Sequence, residues 1–340
     1  MKEPLLCVKM ITYNHVPYIA QAIEGVLQQE TDFPFELVIG EDCSTDGTRE
    51  IVFDYQQKHP GIIRIITSDK NVGALKNSLR TEKACHGKYI AYCEGDDYWH
   101  HPQKLQKQVD YLESHPECGL VFSDFYCFCV KRGRLIKRDR RYKGKTNIIP
   151  NDPGKVLVAM FQGAISVATC TVCLRKELLD SLIVSDPFLY TSGHFPIGDT
   201  QIWVGFSQIS RLHYIDESLA THNLLIESAS RSRDPIKLYR FRKSGAELCV
   251  YMAGKYKLPE AEVKCFREYF WHQSLKLAFY EMNAQSAEKI KSSKQKLSSK
   301  EWLLYWGSQS KLLNFALRPM ICLNMHIRKF FSDKYSLPNG

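Results

Sequence analysis

Four times in the first hundred residues a short apolar run ends in a polar cluster, and this repetition limits the fold more than any other feature of the chain. Leu5 to Thr12 runs into Tyr13-Asn14-His15-Val16-Pro17, after which Tyr18, Ala22, Val26 and Leu27 recur at helical spacing. Phe35 to Gly40 ends in Glu41-Asp42-Cys43-Ser44-Thr45-Asp46-Gly47-Thr48, before a helix expected over Arg49 to His59 that Thr48 or Asp46 would cap. Ile62 to Thr67 ends at Asp69-Lys70-Asn71-Val72-Gly73, and a helix from Lys76 to Cys85 leads through His86-Gly87 into Ile90 to Cys93. That last run delivers Glu94-Gly95-Asp96-Asp97-Tyr98-Trp99. Strands alternating with helices predict an α/β fold with a doubly wound, mostly parallel sheet, its ligand lying outside the carboxyl ends of the strands. All four polar clusters fall at those ends. Each alone reads equally well as a turn or a helix cap; together, on successive strands, they point to a binding edge.

The acids of the fourth cluster suit a hard divalent cation and the phosphates it neutralises. Neither GxGxxG nor GxxxxGK[ST] occurs, so neither glycine cradle for phosphate is present. Phosphates would then be held by a metal and side chains.

At 340 residues with 44% hydrophobic content, the chain can build one large core or two modest ones. Twelve cysteines scattered through strand-like and helix-like segments fit reduced, buried thiols better than a disulfide framework. Cys170 and Cys173 form a CxxC without a second pair at zinc spacing, which predicts a structural thiol pair inside a strand. Met1 to Pro4 leads straight into an apolar strand too short for a signal sequence, so a cytoplasmic protein is expected. Charge is divided unevenly. Residues 231–340 carry 21 Lys and Arg against 9 Asp and Glu, a net of +12, leaving 25 against 28, or −3, for the first 230. This asymmetry gives the tail an anionic partner, a membrane surface or a nucleic acid. The acidic first part and the lack of a base-reading motif count against nucleic acid.

In their order and spacing, TYNHVPYIAQAI, EDCSTDGT, the NVG turn and EGDDYW resemble the nucleotide-diphosphosugar half of family-two glycosyltransferases with the GT-A fold, of the kind that builds bacterial surface polysaccharides. The resemblance is close over roughly the first 125 residues and looser to about 235. It implies a Rossmann-like central sheet flanked by helices in a domain over 1–235, divided into a nucleotide-sugar half at 1–125 and an acceptor half at 126–235. Residues 236–340 would form a basic helical extension. By the same resemblance, Thr12, Tyr13 and Asn14 line the base and ribose, Glu41 and Asp42 meet the uracil or ribose, and Asp46 belongs to the same motif. Asn71 and Arg80 lie where the family closes its pocket. Glu94-Gly95-Asp96 occupies the DxD position with Glu in place of the first Asp. Asp96 is the expected direct ligand of Mg²⁺ or Mn²⁺, supported by Asp97. Tyr98 and Trp99 have two readings, packing under the sheet edge or a platform for sugar stacking.

Downstream, a helix is expected over Gln103 to Ser114 and a strand over Gly119 to Phe128. Lys131 to Lys145 holds nine basic residues and one acid, a solvated loop or a contact for an anionic, lipid-pyrophosphate-linked acceptor. A helix at Gly154 to Phe161, a strand at Ala164 to Leu174 and a helix opened by Arg175 follow. In GHFPIGDTQIW the resemblance assigns Asp199 as the base that activates the acceptor; the competing reading is a helix cap. Where the family more often has Glu-Asp, this chain has Gly198-Asp199. Glu227-Ser228-Ala229-Ser230-Arg231 resembles a segment that can touch the diphosphate, and His222 upstream stands where Tyr is usual. Amphipathic helices over 235–285, a polar linker at Lys289 to Lys300 and an aromatic, basic stretch broken by Arg318-Pro319 complete the tail. No run reaches the length of a spanning helix, which leaves interfacial attachment to an anionic membrane, packing onto the domain or self-association.

The resemblance thus implies a metal-dependent, inverting transferase that moves a sugar from a nucleoside-diphosphate donor, UDP-linked, to a glycan or lipid-linked glycan in polysaccharide or lipopolysaccharide synthesis. Rival readings are a nucleotidyltransferase, whose glycine-rich first loop TYNHVPY does not match, and a nucleotide-sugar-binding module without chemistry.

Overall fold

The computed structural model describes residues 3–136, 149–196, 198–225, 232–294, 296–319 and 321. Two compact units are formed by the described residues of Met1–Met160, Ile165–His194 and Gly198–Leu225 on one hand, and of Phe161–Ala164, Phe195–Ile197 and Ile226–Gly340 on the other.

The first unit begins with the alternation expected of it: β1 (Leu6–Thr12), α1 (Ile19–Leu27), β2 (Phe35–Glu41), α2 (Thr48–Lys58), β3 (Ile63–Ile66), α3 (Ala74–Lys83) and β4 (Tyr89–Tyr92). It continues through β5 (Tyr98–Trp99), α4 (Lys104–Ser114), β6 (Cys118–Cys129), β7 (Arg134–Ile136), α5 (Pro153–Phe161), β8 (Cys173–Arg175), α6 (Lys176–Ser185), α7 (Pro187–Tyr190), α8 (Thr200–Ile209) and β9 (Arg211–Leu224). One sheet runs in the order β3-β2-β1-β4-β8-β6-β9-β5, with β7 beside β6. β3, β2, β1 and β4 run parallel to one another. The remainder is mixed: β8 runs antiparallel to both β4 and β6, β5 antiparallel to β9, and β6 parallel to β9. All-parallel pairing is found in the part built from strand-helix repeats, whose crossovers return the chain to the same edge, while the later strands mix the parallel β6/β9 pair with antiparallel ones.

β1 lies between β2 and β4, so the chain leaves it in one direction to make β2 and β3 and comes back on its other side as β4. That reversal opens a crevice between the carboxyl ends of β1 and β4, the place where an open α/β sheet binds its ligand. Thr12 ends one strand and Glu94 follows the other.

Two expected elements are corrected. The strand expected over Ala164 to Leu174 contains a tight 3-10 turn at Thr169–Thr171, and only Cys173–Arg175 pairs in the sheet. Its β-branched composition reflects burial rather than extension, since Cys170, Val172, Cys173 and Leu174 are all fully buried. β9, fourteen residues long, was not expected, as its sequence RLHYIDESLATHNL has no sustained period of two. It is fixed by pairing with β6 through a series of register shifts. The eleven described cysteines are free thiols, most of them buried.

Buried charge ties α3 to the sheet. Lys9 Nζ donates to Glu82 Oε2 and to Ser78 Oγ, each at 2.8 Å, and both partners of the ion pair are almost inaccessible. Arg175 clamps the mixed half by donating to the carbonyls of Cys118, Leu112 and His115.

In the second unit, α9 (Pro235–Lys255), α10 (Glu260–Glu281), α11 (Ala284–Ser293) and α12 (Ser299–Gln309) are followed by a helical stretch over 311–319. Its core gathers Tyr239, Leu275, Phe279, Tyr280, Leu304 and Tyr305. The polar linker expected over Lys289 to Lys300 is mostly helix, because Asn283 caps α11 and Ser298 forms a capping box with Glu301 at the start of α12. Among the described residues no helix is long and apolar enough to cross a membrane.

Lys9→Met would leave Glu82 buried and unpaired, at a cost of about 3–5 kcal/mol. The double variant Lys9→Met/Glu82→Leu should recover most of that loss. Urea midpoints at constant m-value check this, and equal losses in single and double variants would contradict it.

Candidate active site

The site is built where β1 and β4 end. The loop after β1 and the loop after β2 are laced together. Asn14, held at φ 55°, donates from its N–H to Ser44 Oγ (3.0 Å), and its Oδ1 accepts the Thr45 N–H (2.9 Å). The His15 N–H reaches Thr48 Oγ1 (2.8 Å) and the Val16 N–H reaches Asp46 Oδ2 (3.0 Å). Asp46, exposed on the rim, also accepts the Thr48 N–H and hydroxyl; against a slight desolvation that acts upward, these bonds and the one from Val16 hold its carboxyl below the usual range. Glu41 is fully buried, with Oε1 accepting the Ser44 N–H (2.6 Å) and Oε2 the Thr67 hydroxyl (2.9 Å). Asp42 accepts the Val72 and Gly73 N–H groups, one on each oxygen at 2.9 Å, and so fixes the NVG turn. Arg80 reaches the Glu41 carbonyl (2.9 Å) and the Asp42 carboxylate (3.5 Å). Asn71 is exposed, and the Tyr13 ring is 43% exposed.

Asn14, Glu41, Asp42, Asp46 and Arg80 therefore come together as expected, but their polar atoms hold the rim of the crevice in shape. Unspent polar atoms lie elsewhere. Thr12 Oγ1, His15 Nδ1 and Glu94 Oε2 are buried without a hydrogen-bond partner. They sit around Gly95, where a Cβ would come within 2.7 Å of Thr12 Oγ1 and 3.1 Å of His15 Nδ1. Only glycine lets the acidic tip pass this close to the end of β1. Buried polar groups are nearly always paired, so three orphans at the sheet's reversal point mark where a ligand's polar groups would go.

The acids press on one another. Burial raises the Glu94 carboxyl well above its ordinary range, and the charges of Asp97, Asp96 and Asp199 raise it further. Asp96 is raised by burial and by Asp97, an effect opposed by His15 and His222. Asp97, almost fully buried, differs from both neighbours in having its oxygens occupied. His222 Nδ1 lies 2.9 Å from Oδ2, and the Asn223 N–H donates to Oδ1 at 2.8 Å. Asn223 Nδ2 also holds the Asp96 carbonyl (2.6 Å). The strand β9 thus fastens the acidic tip from below, and Asp97 serves this attachment.

For a divalent cation the fit is good at Asp96 and Glu94 and poor at Asp97. Hard oxygen donors with mutual repulsion, one carrying a partnerless buried oxygen, suit Mg²⁺ or Mn²⁺. Among the described residues no three His, Cys, Asp or Glu side chains converge into a preformed metal cluster. One or two carboxylates completed by a ligand's phosphates are the usual arrangement for Mg²⁺.

Asp199 reaches the same crevice from α8. Trp203, one turn further along that helix, meets the Tyr92 ring edge-on at 5.4 Å, and Tyr92 precedes Glu94 by two residues. Asp199 does cap α8, since Oδ1 accepts the Thr200 N–H (2.6 Å). Its Oδ2 accepts the Thr169 hydroxyl (2.9 Å), and the residue is only half-buried. The turn bearing Thr169 is pinned in turn: Trp99 Nε1 donates to the Cys170 carbonyl and Gln108 Nε2 to the Thr171 carbonyl, each at 2.7 Å. Gln108 Oε1 receives the buried Lys104 ammonium, which lies 4.1 Å from the Trp99 ring centroid and is lowered by burial to about 8. Trp99 is accordingly a packing residue rather than a sugar platform. A Cβ on Gly198 would meet open space, so nothing in the packing prevents an acid there.

Sequence reasoning gave no role to His15, although it lies inside the first motif, and did not reach Thr169, which no motif covers. Asn223, and the bond of the already noted His222 to Asp97, become visible only when β9 is paired with β6 and β5. Glu227 to Arg231 and the 137–145 part of the basic run lie outside the described residues.

A family model described as glycosyl transferase family 2 matches residues 7–182. A putative teichuronic acid biosynthesis glycosyltransferase of Bacillus subtilis is 32% identical over 123 residues, 36% of this chain and 47% of that protein. The chain spans only about a third to a half of the length of the curated relatives it matches, 32% in a Mycobacterium bovis protein and 50% in a Methanocaldococcus jannaschii one. Among solved structures, residues 1–349 of S. aureus TarS in complex with UDP-GlcNAc share the fold at TM-score 0.55 and 19% identity, over 89% of this chain and 79% of that one. A mannosyltransferase from Pyrobaculum calidifontis in complex with GDP-Man and Mn²⁺ does so at TM-score 0.52 and 16% identity, over 93% and 87%.

Because the Glu94 carboxyl is raised in the folded chain, it contributes stability that is present below its unfolded value of 4.5 and lost as pH rises through the folded value. In chelator, Glu94→Gln should therefore lie above wild type in thermal midpoint at neutral pH and converge with it near pH 4. Parallel pH profiles for the two proteins would refute the burial of this charge.

Proposed function

Because the chain belongs to glycosyl transferase family 2, we propose that it transfers a sugar from a nucleoside-diphosphate sugar, UDP-linked, to a hydroxyl of a glycan or lipid-linked glycan in surface polysaccharide or lipopolysaccharide synthesis. The reading rests on one juxtaposition, the acidic tip of Glu94 and Asp96 with Asp199 in a single crevice at the sheet's reversal. The donor class is supported by similar folds in complex with UDP-GlcNAc and GDP-Man, and the acceptor class by the teichuronic acid relative.

In this proposal Tyr13 offers its exposed ring to the base, while Glu41, Asp42 and Arg80 keep the rim rigid and Asn71 lies at its mouth. Thr12 and His15 present their unspent atoms to the donor. Glu94 and Asp96 would hold Mg²⁺ or Mn²⁺, which when bound neutralises charge on the departing diphosphate. Asp97, through His222 and Asn223, positions Asp96. An acceptor hydroxyl has a pKa far above neutral and must lose its proton as it attacks the anomeric carbon. Asp199 receives that proton. Its helix-capping bond to Thr200 and the Thr169 hydroxyl aim the carboxylate, so that capping and catalysis use the same side chain. Attack on the face opposite the leaving diphosphate inverts the anomeric centre. Thr169 is a positioning residue, since it acts through Asp199.

Asp199→Asn should lower transfer by about 10²–10⁴-fold while a nucleotide sugar with Mn²⁺ still raises the melting temperature. Turnover near wild type would defeat the base assignment. Stabilisation by a donor with no transfer to any acceptor tried, in wild type, would favour a binding module.

Thr169→Val should lower kcat without changing donor KM, and Thr169→Ser should restore it. A purely structural hydroxyl would instead move the melting temperature and leave that kinetic division unmoved.

A further inference from the structure

The second unit carries a surface that the sugar chemistry does not use. Along α12 the inward positions Leu304, Tyr305 and Ser308 are buried, while Trp302, Leu303 and Trp306 are 37%, 43% and 52% exposed. In the helical stretch that follows, Asn314 turns inward, donating to the carbonyls of Phe279 (2.7 Å) and Gly307 (3.0 Å). Its outward positions Leu312, Leu313 and Phe315 are 84%, 44% and 82% exposed. Trp302 and Trp306 stack with ring centroids 5.8 Å apart and stand half in solvent. Both helices thus bury apolar residues, Leu304, Tyr305 and, in part, Leu317, and carry in addition a second set of large apolar residues on their outward faces, where an ordinary surface helix is polar.

Charge says what fits this surface. Between 289 and 319 the chain has seven basic residues, Lys289, Lys291, Lys294, Lys296, Lys300, Lys311 and Arg318, and a single acid, Glu301. That acid is buried in an ion pair with Lys294. Lys289, Lys296, Lys300 and Lys311 are exposed among the apolar residues. A second copy of the same face would bring like charges together around the tryptophans, which disfavours self-association. Indole rings interleaved with lysine match the boundary between headgroups and acyl chains, where the ring sits at the apolar edge and the ammonium meets anionic headgroups.

We infer that the outward faces of α12 and the 311–319 helix bind the surface of an anionic lipid bilayer, with Trp302, Trp306, Leu312 and Phe315 entering the interface and Lys296, Lys300 and Lys311 meeting the headgroups. Attachment is interfacial, as no described helix is able to span. It is independent of the transfer chemistry.

The full chain should sediment with vesicles containing phosphatidylglycerol and not with pure phosphatidylcholine vesicles, and its tryptophan emission should move to shorter wavelength with the former alone. Lys296→Ala, Lys300→Ala and Lys311→Ala should each weaken binding by roughly fivefold. The double variant Leu312→Glu/Phe315→Glu, at two of the most exposed positions, should abolish sedimentation while leaving the melting temperature and any transfer to a soluble acceptor unchanged. Equal sedimentation with both vesicle types, no sedimentation, or retention by the double variant would overturn the inference. So would a dimer on size exclusion that the double variant splits, since the face would then belong to a second copy.

Discussion

Three carboxyl groups held where water has little access, Glu94, Asp96 and Asp97, with the half-buried Asp199 adding its charge at Glu94, set the terms for the first unit. Charges at such short range, in a medium less polarisable than water, repel by far more than they would at the surface. A chain that gathers Glu94, Asp96, Asp97 and Asp199 must oppose this with something. Part of the opposition is hydrogen bonding built into the fold: His222, the Asn223 N–H and the Thr169 hydroxyl each satisfy a carboxylate. The rest is left open at Glu94 and Asp96. An arrangement that is uncomfortable alone gains the most from a cation and the groups the cation carries, so the same repulsion that limits stability supplies affinity and selectivity for a charged ligand.

Around this tip the fold divides its polar residues by task. Glu41 and Asp42 would be ready ligands if their oxygens faced the crevice. Instead one bridges the Ser44 N–H and Thr67, and the other ties down the NVG turn. The result is a rigid rim, and rigidity is what positioning requires, since a site that shifts by an ångström loses its geometric advantage. Asp199 combines both tasks. Capping a helix removes much of a side chain's freedom, and if Asp199 is the base of the proposed transfer it has less entropy to lose on meeting an acceptor.

Much of this was legible in the sequence, for identifiable reasons. Strand-helix alternation has a strong period and local punctuation, so β1 to β4 and the location of the crevice followed from it. The acids at EGDD follow β4 and were legible with it, whereas Asp199, at the start of α8, was singled out through the family resemblance of GHFPIGDTQIW. What stayed hidden depends on long-range pairing. His222 reaches Asp97 across 125 residues, and Thr169 reaches Asp199 from a turn whose sequence reads as a strand. Neither has a local signature, because register between β6 and β9 is set by bulges and by burial rather than by a repeating pattern. The division between ligand-facing and rim-building acids was hidden for another reason: Glu41 and Glu94 are the same residue type after the same kind of strand, and only their donors differ.

Charge partition links the two units without any appeal to how they are arranged. The first 230 residues have a net of −3 and concentrate acid at the binding edge. A nucleoside diphosphate, itself an anion, is repelled by such an edge until its charge is offset, which makes donor affinity depend on the cation that Glu94 and Asp96 would hold. An anionic lipid surface carries no such cation with it and is met unfavourably by the same acids. The remaining residues, with a net of +12, answer that surface in the opposite sense. On the two proposals, the acidic crevice would admit an anion only with its counterion and the basic, aromatic extension would accept one directly, so ionic strength should weaken the second contact far more than the first, where Glu94 and Asp96 are largely buried from the screening salt.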